Sequence, residues 1–144
     1  MCNLPPWTDE YLVGSYLIDV QNQRLHRLCR QLLDYCAHES HNELPTLLKE
    51  FEGLARMHFE TEEALLAQNQ CPTLEPHRVE HAFYLAQIEC LRDQSPIPMQ
   101  SLSSLLGAWI GEHIGGTDMN DKYYMQDRRK WVAQRAKDFG PIDV

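Results

Sequence analysis

Two pairs of side chains able to ligate a metal recur at helical spacing, His58 with Glu62 and His77 with His81, and His113 follows with Asp118 after it. Residues four apart on an α-helix lie about 40° from eclipsed, one turn above another, so each pair can aim two ligating atoms at one point. Two such pairs define two converging faces. The segment Trp109-Ile110-Gly111-Glu112-His113-Ile114-Gly115-Gly116-Thr117-Asp118 adds a nitrogen and a carboxylate from a third direction. A two-metal site inside a four-helix bundle needs ligands arriving in this way. Imidazole and carboxylate suit iron and leave manganese open beside it, whereas a structural zinc site more often uses thiolates in a closed tetrahedron. Six residues are too many for one zinc, and a bridged pair of metals accounts for all of them.

Any one of these histidines, taken alone, reads as a hydrogen-bonded core or boundary residue. Taken together they do not, because burying several imidazoles and two carboxylates without a metal leaves uncompensated charge in a medium that penalises it. Glu60 and Glu63 fall on other faces of the same helix and read as surface charges. His38 and His41 sit in a polar stretch and read as solvated.

The elements that must position these residues follow from the apolar periodicity. Residues 1–17, with Pro5, Pro6, Trp7, Tyr11 and Tyr16, are too proline-rich at the start for a helix and form an arm expected to pack on the bundle. Ile18, Leu25, Leu28, Leu32, Leu33 and Cys36 predict a first helix over residues 18–38. The second helix runs over residues 43–68, with Pro45 acceptable in its first turn. His77, His81, Phe83, Tyr84, Ile88 and Leu91 mark the third, stopped by Ser95-Pro96-Ile97-Pro98. The fourth starts near Gln100 and carries Leu102, Leu105, Leu106, Trp109, Ile110 and His113 up to Gly115-Gly116, which loosen it or end it.

The reading is therefore all-α: one domain over residues 1–144, with an arm (1–17), an up-down-up-down bundle (18–120) and a helical extension or linker (121–144). Tyr123, Tyr124, Trp131, Val132 and Ala136 could continue a helix in that extension. Gly140-Pro141-Ile142-Asp143-Val144 is an abrupt finish, as expected if the extension is a connector to something further along a longer chain.

Bulk properties exclude several classes. A chain of 144 residues is long enough to bury one core. The formal net charge of −8 and pI near 5.3 argue against a phosphate-tracking surface. The basic cluster Arg128-Arg129-Lys130 with Arg135 and Lys137 is interleaved with Asp127 and Asp138, so it reads as a solvated helix face. Five cysteines at irregular spacing, with no CxxC pair, point to thiols in a reducing compartment. Cys29 and Cys36 read as small core residues. No basic leader or long apolar run suggests secretion or a membrane span, and the expected location is the cytoplasm.

Three segments, His58-Phe59-Glu60-Thr61-Glu62-Glu63, then Pro72 with His77-Arg78-Val79-Glu80-His81-Ala82-Phe83, then Trp109-Ile110-Gly111-Glu112-His113-Ile114 with Asp118, resemble a bacterial hemerythrin-like domain. The likeness extends from Trp7 to about Tyr124. It implies a non-haem di-iron centre in which His77, His81 and His113 hold one iron and His58 helps hold the other. Glu62 and Asp118 would bridge both, together with an oxo or hydroxo group. It also places Trp109 and Ile110 near the ligand pocket, beside their ordinary core role.

One departure alters what the resemblance implies. Where the family places a histidine ligand, this chain has Asn22, so the second iron loses a nitrogen donor. Asn22 coordinates weakly, water fills the position, or His26 substitutes from one turn along. An iron with an extra exchangeable position suits an O2 or redox sensor that oxidises readily, the input module of a signalling protein with a downstream output domain. A free-standing O2-binding or storage protein, and an enzyme scavenging peroxide or nitric oxide, remain the alternatives. No nucleophile with a neighbouring base and no phosphate-binding glycine loop is present, so small diatomic ligands or peroxide are favoured and no enzymatic role is expected beyond weak oxidase or peroxidase-like activity.

Overall fold

The computed structural model describes residue 4 and residues 6–38 and 42–126. Four helices dominate: α1 (Tyr16–Ala37), α2 (Leu44–Gln68), α3 (Leu74–Arg92) and α4 (Met99–Ala108). A π-helical stretch, Trp109–Asp118, continues α4 without a break, followed by a short α-turn, Met119–Asp121, and a 3-10 turn, Lys122–Tyr124. No strand occurs among the described residues. Sequence neighbours pack side by side and α1 closes against α4, which makes a ring of four helices joined by short connections. No described helix is long and apolar enough to cross a membrane.

Local chemistry explains the ends. The Asp19 carboxylate accepts from Val13 N at 2.8 Å and Gly14 N at 3.2 Å, tying the arm to the first turn of α1. Gly14 there adopts φ +92°, which a side chain would strain. Ser15 caps α1, its hydroxyl accepting from Ile18 N, so the helix begins at Tyr16, two residues before the periodicity places it. Helix α3 begins at Leu74, with Pro76 in a first turn where no N–H is needed.

The main core joins Leu25, Leu32, Leu48, Phe51, Phe59, Ile88, Leu106 and Trp109 from all four helices, with Leu4, Trp7 and Tyr11 of the arm packed against it. A smaller cluster of Val13, Ile18, Leu66, Cys71 and Met125 seals the end of the bundle beside the metal-type residues. Cys29 is fully buried in the main core, and that burial pushes its thiol well above the ordinary range. Tyr123 and Tyr124 lie in or at the 3-10 turn. Trp131, Val132, Ala136, the basic cluster at Arg128, Arg129, Lys130, Arg135 and Lys137, and His41 lie outside the described residues.

Candidate metal centre

Helices α2 and α3 present their ligand pairs towards one another as the spacing requires. Glu62 faces both ways. Its Oε1 lies 3.0 Å from His58 Nε2, while Oε2 lies 3.1 Å from His77 Nε2, 2.9 Å from His81 Nε2 and 3.8 Å from His113 Nε2. Asp118 Oδ1 lies 3.2 Å from His77 Nε2 and 3.4 Å from His113 Nε2. The ligating atoms form two groups that share Glu62: Glu62 with His77, His81 and His113, and His58 with Glu62 and Asp118, each within 4.8 Å. All six residues are buried.

His113 and Asp118 meet only because the backbone widens between them. On an α-helix, positions five apart lie about 140° apart around the axis, but i→i+5 bonding widens the turn to about 4.4 residues and brings them to within about 50°. The π-helical stretch Trp109–Asp118 performs this rotation. Glycine tolerates it at Gly115, where a Cβ would stand 3.2 Å from Ile110 O and 3.3 Å from the Tyr11 ring. The glycine pair thus does not end the helix; it lies in the stretch where the turn is loosened.

The residues fit a pair of cations. Two donors at right angles around a first-row cation, each about 2.1 Å away, are about 3.0 Å apart, and the closest contacts across this cluster run from 2.9 to 3.4 Å. Glu62 Oε1, both oxygens of Asp118 and the Nε2 atoms of His58 and His113 have no hydrogen-bond partner. Five buried polar atoms left in this state are costly unless a cation satisfies them. Homology agrees with the geometry, since a family profile described as the hemerythrin HHE cation binding domain matches residues 13–121.

The chain belongs to the hemerythrin family.

It is also 25% identical over 118 residues to the bacteriohemerythrin of Clostridium acetobutylicum, an alignment spanning 75% of this chain and 91% of that protein. As a hemerythrin-like protein it binds non-haem iron, and the histidine–glutamate cluster supplies the nitrogen and oxygen donors.

Each of four histidines in this hemerythrin turns Nε2 inward and donates Nδ1–H outward to a side chain. His58 Nδ1 donates to Gln21 Oε1 at 2.8 Å, His77 to Asp121 Oδ2 at 2.9 Å, His81 to Glu63 Oε2 at 3.0 Å and His113 to Glu80 Oε1 at 2.9 Å. These bonds fix the tautomer in which Nε2 is free to ligate. Glu63 is therefore not simply a surface charge: its side chain is 26% exposed and is held by His81 on one oxygen and Arg78 on the other. Glu60 is exposed, and so is His38, whose Nδ1–H donates to Asp34 O at 2.8 Å. Sequence reasoning passed over Gln21, Glu80 and Asp121 altogether. A usable signal was adjacency, because Gln21 and Glu80 each precede a residue already singled out and Asp121 stands one turn after Asp118.

In the metal-free cluster the imidazoles and the two carboxylates shift one another's protonation. Burial alone would depress the imidazoles, but the Asp118 and Glu62 carboxylates, 3.2 and 3.1 Å from His77 Nε2, outweigh it and raise His77 to about 11. The same competition, with Asp118 the strongest opposing charge and Glu80 assisting, raises His113 to about 10. For Glu62, burial is outweighed by the surrounding imidazoles, and its carboxyl stays well below the usual range. Asp118 is pushed up, first by burial and then by the Glu62 charge. A cation must displace the imidazole protons it replaces.

Asn22 is completely buried, and neither its amide nitrogen nor its amide oxygen has a hydrogen-bond partner. His26, one turn on, is 2% exposed and lies edge-on to Trp7, with ring centroids 5.8 Å apart; it belongs to neither ligand group. Trp109 and Ile110 are both fully buried. Trp109 stacks on Phe59 at 4.9 Å, and Phe59 in turn stacks on His81 at 3.8 Å and 12°, forming an apolar wall beside the ligands.

Proposed function

We propose that this hemerythrin domain is an oxygen or redox sensor built on two bridged non-haem irons. It takes O2 or another small ligand on the His58 side and is the input module of a signalling protein. His77, His81 and His113 would hold one ion and His58 the other, with Glu62 and Asp118 shared. Asn22 carries this reading: a buried amide with two unpaired polar atoms stands on α1 next to Gln21, which orients His58. When bound, a pair of iron ions supplies electrons and an exchangeable Lewis-acidic position.

The chain's own residues supply the rest. Asn22 offers a neutral oxygen in place of an imidazole, so the His58 side keeps a weak, replaceable donor. Phe59, Trp109 and Ile110 exclude bulk water and favour small, weakly polar ligands. Asp121, which accepts from His77, belongs to the segment after Asp118, so a change at His77 reaches that segment through one hydrogen bond. The domain acts without turnover.

The test exposes the iron-loaded, reduced protein to O2 and then to vacuum while its spectrum is followed. The expected result is one-way oxidation, slowed in Asn22→His. Full recovery of the reduced spectrum under vacuum would identify a reversible carrier instead, and many turnovers with added reductant would identify a scavenging enzyme.

A further inference from the structure

We propose that Gln21, Glu63, Glu80 and Asp121 are positioning residues that make the two cation positions unequal, so that the three-histidine position fills first and a singly loaded state accumulates. The inference rests on the two-cation reading and adds to it the order and strength of loading.

The asymmetry lies in what stands behind each imidazole. His77, His81 and His113 donate Nδ1–H to Asp121, Glu63 and Glu80, all carboxylates. A carboxylate acceptor draws the Nδ1 proton away from the ring, makes Nε2 a stronger donor and adds negative charge near the cation. His58 has only the Gln21 amide. Neighbouring bonds settle that amide's orientation: Thr61 Oγ1 donates to Met57 O at 2.9 Å, so it accepts from Gln21 Nε2 at 3.3 Å, which leaves Gln21 Oε1 for His58. Arg78 partly offsets Glu63 from 3.3 Å, whereas the other contacts of Asp121 and Glu80 are the neutral hydroxyls of Thr73 and Thr117. Inner ligands lean the same way, with three imidazoles in one group and a single imidazole in the other.

The experiment titrates the metal-free full chain with Fe(II) under anaerobic conditions, and separately with Co(II), whose visible absorption reports coordination, against a chelator of known affinity. Two steps are expected, the first tighter by about tenfold or more, and Asp121→Asn should weaken that first step by about 10- to 100-fold. Gln21→Glu should strengthen the second step and narrow the gap. A purely structural role would lower the melting temperature of the metal-free variants without changing the ratio of the two affinities. Two equal steps, or an unchanged gap in folded Gln21→Glu, overturn the proposal. If that variant does not fold, an unchanged ratio in both Asp121→Asn and Glu80→Gln does the same. A stoichiometry of one or none refutes the two-cation reading and the proposal with it, whereas equal steps refute the proposal alone.

Discussion

Glu80 holds the π-helical stretch from the opposite helix, and Glu80→Ala tests how much that hold contributes. Its Oε1 accepts from His113 Nδ1 at 2.9 Å, and Thr117 Oγ1 lies 2.9 and 2.7 Å from its two oxygens. A hydrogen bond to a charged group contributes about 1.5–3 kcal/mol and one to a hydroxyl about 1. The Glu80 side chain is 30% exposed, so water replaces part of what is lost, and the expected net cost is about 2 kcal/mol. For a chain of this size that lowers the melting temperature by about 4–8 °C. The pH dependence gives a second reading. Burial would raise the Glu80 carboxyl, but the bonds from His113 and Thr117 and the nearby imidazolium charge outweigh it, so its folded pKa lies below the ordinary value of 4.5. A depressed carboxyl contributes stability that is fully present above the unfolded pKa and is lost as pH falls through the folded one. The difference between the metal-free parent and variant should therefore be full at pH 7 and shrink below about pH 4.5. Thermal melts of both proteins across that range check it. A variant melting within about 1 °C of the parent at pH 7, or a gap that persists unchanged into acid, would refute the reasoning.

Two further outcomes follow from the same geometry. Gly115→Val should destabilise the fold by about 1–3 kcal/mol through crowding of Ile110 O and the Tyr11 ring, while Gly111→Ala, with no atom near its Cβ, should not; urea unfolding separates them. Metal loading should release protons and tighten as pH rises from 6 towards 9, because His77 and His113 in the empty cluster stay protonated up to about 11 and about 10; calorimetry in buffers of differing ionisation enthalpy measures the release.

Local periodicity encodes which residues share a helix face, so the pairs His58 with Glu62 and His77 with His81, the four helices and the all-α class could be read from the chain alone. The family follows from the same motifs. Helix starts were less legible because they depend on single capping contacts such as Ser15 to Ile18 N. His113 and Asp118 are five apart, a spacing that an ordinary helix sends to different faces, and only the folded chain shows the π-helical widening that reunites them. Adjacency could have marked the acceptors, but which of them stands behind which histidine belongs to tertiary structure. Gln21 and His58 are 37 residues apart in sequence, Glu80 and His113 are 33 apart, and His77 and Asp121 are 44 apart. Their meeting depends on the register in which the helices dock, and no spacing along one helix carries that information.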